Sequence, residues 1–96
     1  MTDTATYAWL ITHDYIDADL VGTAGPRGIT NDQELALQEG DGTPFRMFDD
    51  DGAMYAQGLY LGPDDERMFA PLDGFGTPSL GCTEIQYVGP KGWETL

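Results

Sequence analysis

The alternation of apolar and polar residues is strongest in the middle of the chain, where two runs of aromatic and apolar residues flank Asp51 and Gly52. An Asp-Gly pair between such runs is a strong hairpin signal, because glycine adopts positive φ without a steric penalty. The pattern therefore predicts a β-hairpin over residues 45–61. Gly58, inside the second arm, is expected to mark a bulge or a close approach of another segment.

The register of this hairpin stays open at the level of sequence. A two-residue loop at the Asp-Gly pair sets Phe48 opposite Tyr55. A bulged three-residue loop over residues 50–52 sets Phe48 opposite Met54 instead. Both are common hairpin connections, so the local pattern does not choose between them.

The remaining apolar runs predict further strands. Residues 7–12 have the composition and length of a strand, and both of their faces carry apolar side chains, which predicts an inner strand. Residues 82–88 and 93–96, separated by a Gly-Pro-Lys-Gly turn, predict a second hairpin. Two minor extended segments are expected at residues 20–22 and 68–72.

Two glycine-rich stretches are expected to be loops. Residues 22–28 form a turn-rich link that lacks the lysine of a phosphate-binding loop. Residues 73–81 predict an ordered loop in which Leu72, Phe75 and Leu80 anchor the chain to the core.

A single helix is predicted after Thr30, because Thr30 and Gln33 have the spacing of a capping box and Gly40 is placed to end the helix. A helix of about ten residues is marginal alone, so it is expected to pack on the sheet. Strands that follow each other closely, with one helix among them, favour an α+β fold over a parallel one. We expect a small, mainly antiparallel sheet built on two hairpins with one short packed helix.

Length and composition predict one compact domain over residues 1–96, with residues 1–6 frayed. The single cysteine, Cys82, has no intramolecular disulfide partner, and the first residues lack the basic and apolar regions of a secretory signal. No apolar run approaches the roughly 18 residues of a membrane-spanning helix. The sequence therefore predicts a soluble, cytoplasmic protein.

The charge balance adds the main functional constraint. With 17 acidic against 4 basic residues, the chain carries a formal charge of -13. This charge argues against direct binding to nucleic acid or to an anionic membrane, both of which require clustered lysine or arginine. The expected partner is a basic protein surface, such as that of a nucleic-acid-binding enzyme or a defence complex. The predicted partner-binding residues form three clusters: Asp14, Asp17 and Asp19; Asp49, Asp50 and Asp51; Asp64, Asp65 and Glu66.

Motifs for catalysis or metal binding are weak. Aligning Gly52 with the glycine of an EF-hand loop puts Met47 at the first ligand position and Gly58 in place of the bidentate glutamate. His13 and Cys82 are the only residues of their types, so they are the only possible Cys-His pair. Cys82 begins an apolar strand, and a small buried residue is a simpler interpretation of it than a nucleophile. We therefore predict no catalytic residue, no metal site and no cofactor.

Three segments of the chain together resemble a group of small acidic bacterial proteins, some of them carried by plasmids and phages. They are residues 45–52, 69–76 and 81–87, joined by the Trp-Leu-Ile-Thr run at residues 9–12. The group has no established activity, so the resemblance implies no catalytic residues. It implies a mobile-element context, in which small acidic proteins sometimes inhibit nucleic-acid-handling defence enzymes.

Three functional hypotheses follow from these observations. The first is a non-catalytic nucleic-acid mimic, of the anti-defence or anti-CRISPR type, that occupies a basic groove. The second is an accessory domain whose acidity serves solubility or adaptation to high salt, and the third is a small metal-dependent enzyme. Exposed aromatic residues beside the acidic clusters would favour an interface, and the candidates are Tyr15, Tyr60 and Trp93.

Overall fold

A computed structural model describes residues 7–26 and 29–96 of the chain. The strands are β1 (Ala8–Asp14), β2 (Ala24–Gly25), β3 (Thr43–Phe48), β4 (Met54–Leu61), β5 (Glu84–Gly89) and β6 (Gly92–Thr95). They form one six-stranded antiparallel sheet in the order β2-β1-β4-β3-β5-β6. The α+β fold and both hairpins are confirmed, as is the inner position of β1. The predicted fraying of residues 1–6 concerns a part of the chain outside the described residues.

The central hairpin adopts the second of the two registers, with Phe48 opposite Met54 and a bulge between Met47 and Phe48. Gly58 marks a close approach, as its position in the second arm predicts. A Cβ atom at Gly58 would lie 2.3 Å from the carbonyl oxygen of Leu10 and 2.5 Å from Cζ of Phe45. The absence of a side chain therefore lets β1, β4 and β3 pack together at this point.

Helix α1 (Asn31–Gln38) begins at the predicted capping box. The Thr30 Oγ1 accepts the backbone N–H of Gln33 at 3.1 Å, and the Gln33 Oε1 accepts the backbone N–H of Thr30 at 2.8 Å. Gly40 follows the helix with φ of 96°, a left-handed conformation that favours glycine. The buried Leu37 packs on Ala8 and Leu10, so the helix covers the β1 side of one sheet face.

The opposite face is covered by a helical segment, and here two predictions are wrong. The expected extended segment at residues 68–72 instead contains a 3₁₀ turn, Glu66–Phe69, and the expected loop at residues 73–81 is a wide π-type helix, Leu72–Leu80. Tight packing accounts for one of its glycines, because a Cβ atom at Gly76 would lie 2.6 Å from Sδ of Met47. The helical segment ends at Gly81, whose φ is 75°.

The predicted anchors of this segment do reach the core, since Leu72 and Phe75 are buried and Leu80 packs against the main cluster. The main cluster lies between the sheet and the helical segment. It consists of Trp9, Ile11, Phe45, Met47, Ala56, Tyr60, Met68, Leu72, Phe75, Cys82, Ile85 and Tyr87. Two hydroxyls hold this part of the chain: Tyr60 donates to the carbonyl of Pro63, in the turn before the helical segment, at 2.8 Å, and Tyr87 donates to that of Met68, within the segment, at 2.7 Å.

The predicted short strand at residues 20–22 is also wrong. The chain forms a 3₁₀ turn over Ala18–Leu20, and Asp17 caps this turn by accepting the backbone N–H of Asp19 at 3.0 Å. A local hydrogen bond from an aspartate competes with strand formation, which explains the outcome. Among the described residues, no helix is long and apolar enough to cross a membrane.

Candidate functional site

The turn between β3 and β4 holds the second acidic cluster in a fixed geometry. The Asp49 Oδ1 accepts the backbone N–H groups of Asp51 and Ala53, each at 2.9 Å. The backbone of Asp49 also pairs with Ala53, and Gly52 takes the positive φ that the sequence predicts. Asp49 therefore builds the turn, whereas Asp50 and Asp51 are exposed at its surface.

The first acidic cluster starts at the end of β1. Asp14 is only 8% exposed, and its Oδ1 accepts the backbone N–H groups of Ile16 and Asp17 at 2.9 and 2.8 Å. Its Oδ2 has no hydrogen-bond partner among the described residues. Asp17 and Asp19 lie on the exposed loop that follows. Asp14 thus shapes this loop from inside, and Asp17 and Asp19 are the members of the cluster that a partner can reach.

Sheet topology brings these two clusters to one end of the sheet, which we call the tip end. Asp14 pairs with Ala56, two residues from the start of β4, and the N–H of Tyr15 donates to the carbonyl of Tyr55 at 2.8 Å. Electrostatics agrees with this placement: burial is the main cause that raises the pKa of the Cys82 thiol, and the charges of Asp49 and Asp14 both add to it. Two acidic segments that are 30 or more residues apart in sequence therefore lie at the same end of the sheet.

The third cluster does not join them. Asp64, Asp65 and Glu66 follow the end of β4, and the turn at Asp49 precedes its start. At about 3.3 Å per residue, this eight-residue strand separates the two clusters by roughly 25 Å. The second and third clusters therefore lie at opposite ends of β4.

The third cluster is also partly used by the fold. The Asp65 Oδ1 caps the 3₁₀ turn by accepting the N–H of Arg67 at 2.9 Å, and its Oδ2 lies 2.8 Å from Nη1 of Arg67. This is the only ion pair between side chains within residues 7–26 and 29–96. Asp64 and Glu66 remain exposed on either side of it. This neutralising contact thus lies away from the tip end.

Glu84 is a further acidic residue of the tip end that sequence reasoning missed. It begins β5 opposite Phe48, which leads into the β3–β4 turn. The hydroxyl of Thr95 and the side-chain amide of Gln86 donate to its carboxylate and hold the pKa of Glu84 below its usual value. In the sequence, Glu84 is recognisable only as a residue near the start of a predicted strand. That position does not show which strand lies beside it, so it could not place Glu84 at the tip end.

The turn also stabilises negative charge at Asp49. The hydroxyl of Tyr55 and then the backbone N–H of Ala53 lower the pKa of Asp49 from 3.8, and the same contact with Asp49 raises the pKa of Tyr55. Hydrogen bonds to a carboxylate favour its ionised form. Asp49 is therefore charged throughout the physiological pH range.

Nucleophilic chemistry has little support at Cys82. The residue is fully buried, and burial, followed by the charges of Asp49 and Asp14, raises the pKa of its thiol to about 11. A thiol in this state is protonated at neutral pH and is a poor nucleophile. In the described part of the chain, no three His, Cys, Asp or Glu side chains group closely enough to hold a metal ion.

The three aromatic residues considered as interface candidates differ clearly in their exposure to solvent. Tyr60 is 2% exposed and belongs to the core, whereas Tyr15 is 54% and Trp93 is 39% exposed. Tyr15 stacks on the ring of His13 beside the first acidic cluster. Trp93 stacks on the guanidinium of Arg46 at 4.2 Å, on the sheet face that α1 leaves open. Tyr15 is thus the aromatic residue that lies next to the tip end.

Comparison with known proteins gives no identification: no family model, no curated protein and no solved structure matches this chain.

Proposed function

We propose that this protein is a non-catalytic acidic binding protein whose tip end occupies a basic groove of a nucleic-acid-handling protein, as an inhibitor or a mimic of nucleic acid. The observation that carries the proposal is the meeting of two sequence-distant acidic segments at one end of the sheet. Their exposed members are Asp17, Asp19, Asp50 and Asp51.

The charge density at this end supports the proposal. The carboxylates lie at or just beyond the ends of four adjacent strands, β1, β4, β3 and β5, which span about 14 Å at the usual strand separation. Duplex DNA of that length carries about eight negative charges. The tip end has seven carboxylates, of which four are exposed to a partner (Asp17, Asp19, Asp50 and Asp51) and three are partly or largely buried (Asp14, Asp49 and Glu84).

Rigidity is the second supporting feature. A mimic must hold its carboxylates in place, because ordering flexible side chains and loops on binding costs affinity. Asp49 fixes the turn with two hydrogen bonds to the backbone, and Asp14 fixes the neighbouring loop with two more. The exposed carboxylates are therefore mounted on turns that are already ordered before a partner arrives.

Charge neutralisation at the tip end tests the proposal. The tip variant carries D19N, D50N and D51N, three exposed residues whose carboxylates accept no hydrogen bond within the described ranges. A matched control removes the same charge elsewhere with D41N, D64N and E66Q. Each protein is immobilised, exposed to a bacterial lysate at low and high salt, and then challenged with duplex DNA.

We expect the unmodified protein and the control variant to retain a basic nucleic-acid-binding protein that duplex DNA displaces. The tip variant should lose most of this binding, and high salt should weaken it in all three proteins because the contact is electrostatic. Equal capture by the tip variant and the control, or captured proteins that duplex DNA fails to displace, would contradict a mimic acting through the tip end.

A general surface adaptation is the second candidate, and one observation favours it. Exposed acidic residues also lie away from the tip end, on α1, in the following loop, in the turn after β4, on the helical segment and on β6. They are Asp32, Glu39, Asp41, Asp64, Glu66, Asp73 and Glu94. If acidity serves only solubility, the tip variant and the control should lose solubility and salt tolerance equally, with no specific partner for either.

A further inference from the structure

We infer that the cleft between the β1–β2 edge and the helical segment binds a small planar aromatic cation. The cleft has a volume of about 700 Å³, within the usual range of about 300–1,000 Å³ for small-molecule sites. It lies on the face that carries the main core, away from the acidic turn between β3 and β4. The inference does not depend on the proposed function at the tip end.

Aromatic side chains form the floor of the cleft. The rings of Trp9 and Phe75 lie 5.9 Å apart at an angle of 53°, and both residues line the cavity although they are largely buried. Tyr7 borders the same space. Such surfaces suit a flat apolar ring, because aromatic pairs at this separation favour tilted or offset packing.

Two glycines let the backbone approach the indole closely. A Cβ atom at Gly25 would lie 2.5 Å from Cζ2 of Trp9, and one at Gly74 would lie 3.7 Å from the same atom. Any side chain at Gly25 would therefore displace the Trp9 ring. The backbone of β2 and that of the helical segment approach the indole from two sides and shape the cleft around it.

The charges at the rim select the sign of the ligand. Glu66, Arg67 and Asp73 all line the cleft. Arg67 is already neutralised by Asp65 at 2.8 Å, whereas Glu66 and Asp73 are exposed and form no ion pair with any cation in the described ranges. Within the described ranges, these two unpaired carboxylates at the rim favour a cation, and the net charge of -13 raises the local concentration of cations further.

Nuclear magnetic resonance of the ¹⁵N-labelled full chain provides a direct test. The protein has two tryptophans, so its spectrum contains two indole N–H signals, and Trp93→Phe assigns them. Three matched compounds are titrated at millimolar concentrations: benzamidine as the cation, benzamide as its neutral analogue and benzoate as the anion. Trp93, which does not line the cleft, serves as an internal reference.

We expect benzamidine to shift the Trp9 indole signal saturably, benzamide to bind more weakly and benzoate not to bind. Asp73→Asn and Glu66→Gln should each weaken benzamidine about two- to fivefold, the usual range for one exposed charge contact. Asp51→Asn, at the tip end, should leave this affinity unchanged while weakening any basic protein partner.

Three results would overturn the inference. They are the absence of a saturable shift at Trp9, equal affinity for the three compounds, and parallel shifts of the Trp9 and Trp93 signals. The comparison of compounds uses the unmodified protein, so it decides the matter even if a variant fails to fold. Failure here leaves the tip-end proposal standing, because that proposal is tested on a macromolecular partner with a different set of variants.

Discussion

Substitution of Gly58 by alanine is the sharpest test of how the sheet brings the two acidic segments together. The added Cβ would meet a backbone carbonyl of β1 at 2.3 Å and the buried Phe45 ring at 2.5 Å. Neither neighbour yields easily, because the carbonyl belongs to the β1–β4 pairing and Phe45 is fully buried. We therefore expect a cost at the upper end of the overpacking range, about 3 kcal/mol.

A loss of this size is a large part of the roughly 5–15 kcal/mol that stabilises a typical domain. For a chain of this length, it corresponds to a fall in melting temperature of roughly 12–24 °C. The assay is urea unfolding followed by tryptophan fluorescence, with thermal unfolding by circular dichroism as a second probe. The midpoint should fall without a change in the denaturant slope.

Gly74→Ala is the matched control. Its new Cβ would lie 3.7 Å from the Trp9 ring, an ordinary contact, and Gly74 does not have positive φ. We expect a change within about 1 kcal/mol, of either sign. If Gly58→Ala unfolds at the same urea concentration as the unmodified protein, then β1, β4 and β3 do not pack as closely as described.

Four further predictions concern single groups. Thr30→Ala should destabilise the protein by about 1 kcal/mol in urea unfolding, because α1 loses its cap, and Thr30→Ser should restore it. Tyr87→Phe should cost about 1–3 kcal/mol in the same assay, because the buried carbonyl of Met68 loses its donor. The Cys82 thiol, with its pKa raised to about 11, should resist Ellman's reagent at pH 8 in the native state and react once urea unfolds the protein. Because the folded pKa of Asp49 lies below 3.8, its stabilisation is present above that pH and is lost on acidification, and Asp49→Asn should flatten the acid limb of the stability profile.

Each of these has a contradicting result. An unchanged midpoint for Thr30→Ala or Tyr87→Phe would mean that the corresponding hydrogen bond contributes nothing. Rapid native-state labelling of Cys82 would mean that the thiol is open to solvent. An identical acid limb for Asp49→Asn would mean that Tyr55 and the backbone do not favour the charged carboxylate.

Local signals predicted the elements whose structure depends on near neighbours. The capping box at Thr30 and the Asp-Gly turn each use hydrogen bonds or φ angles set within a few residues. The α+β fold followed from the order of the predicted strands and helix along the chain. The hairpin register did not, because the same residues suit two loop lengths, and only the pairing of β3 with β5 and β4 fixes Phe48 opposite Met54.

The helical segment shows where local propensity fails. Pro71, Gly74, Gly76 and Pro78 indicate a loop by every local rule. The segment is nevertheless helical, because its apolar residues cover the core and Gly76 sits too close to Met47 to carry a side chain. Tertiary packing thus overrides the sequence preference, and the cleft above Trp9 follows from that helix. No sequence pattern predicted this cleft.

Hydrogen bonding divides the acidic residues named from the sequence into two groups with different explanations. Four of them accept backbone N–H groups and build turns, so the fold alone accounts for their presence: Asp14, Asp17, Asp49 and Asp65. The others accept no hydrogen bond in the described part of the chain: Asp19, Asp50, Asp51, Asp64 and Glu66. Turn chemistry cannot explain this second group, whose charges add repulsion to an already acidic protein. Neutralising Asp50 and Asp51 should therefore leave stability unchanged or higher, so any loss of partner binding in that variant would reflect recognition and not unfolding.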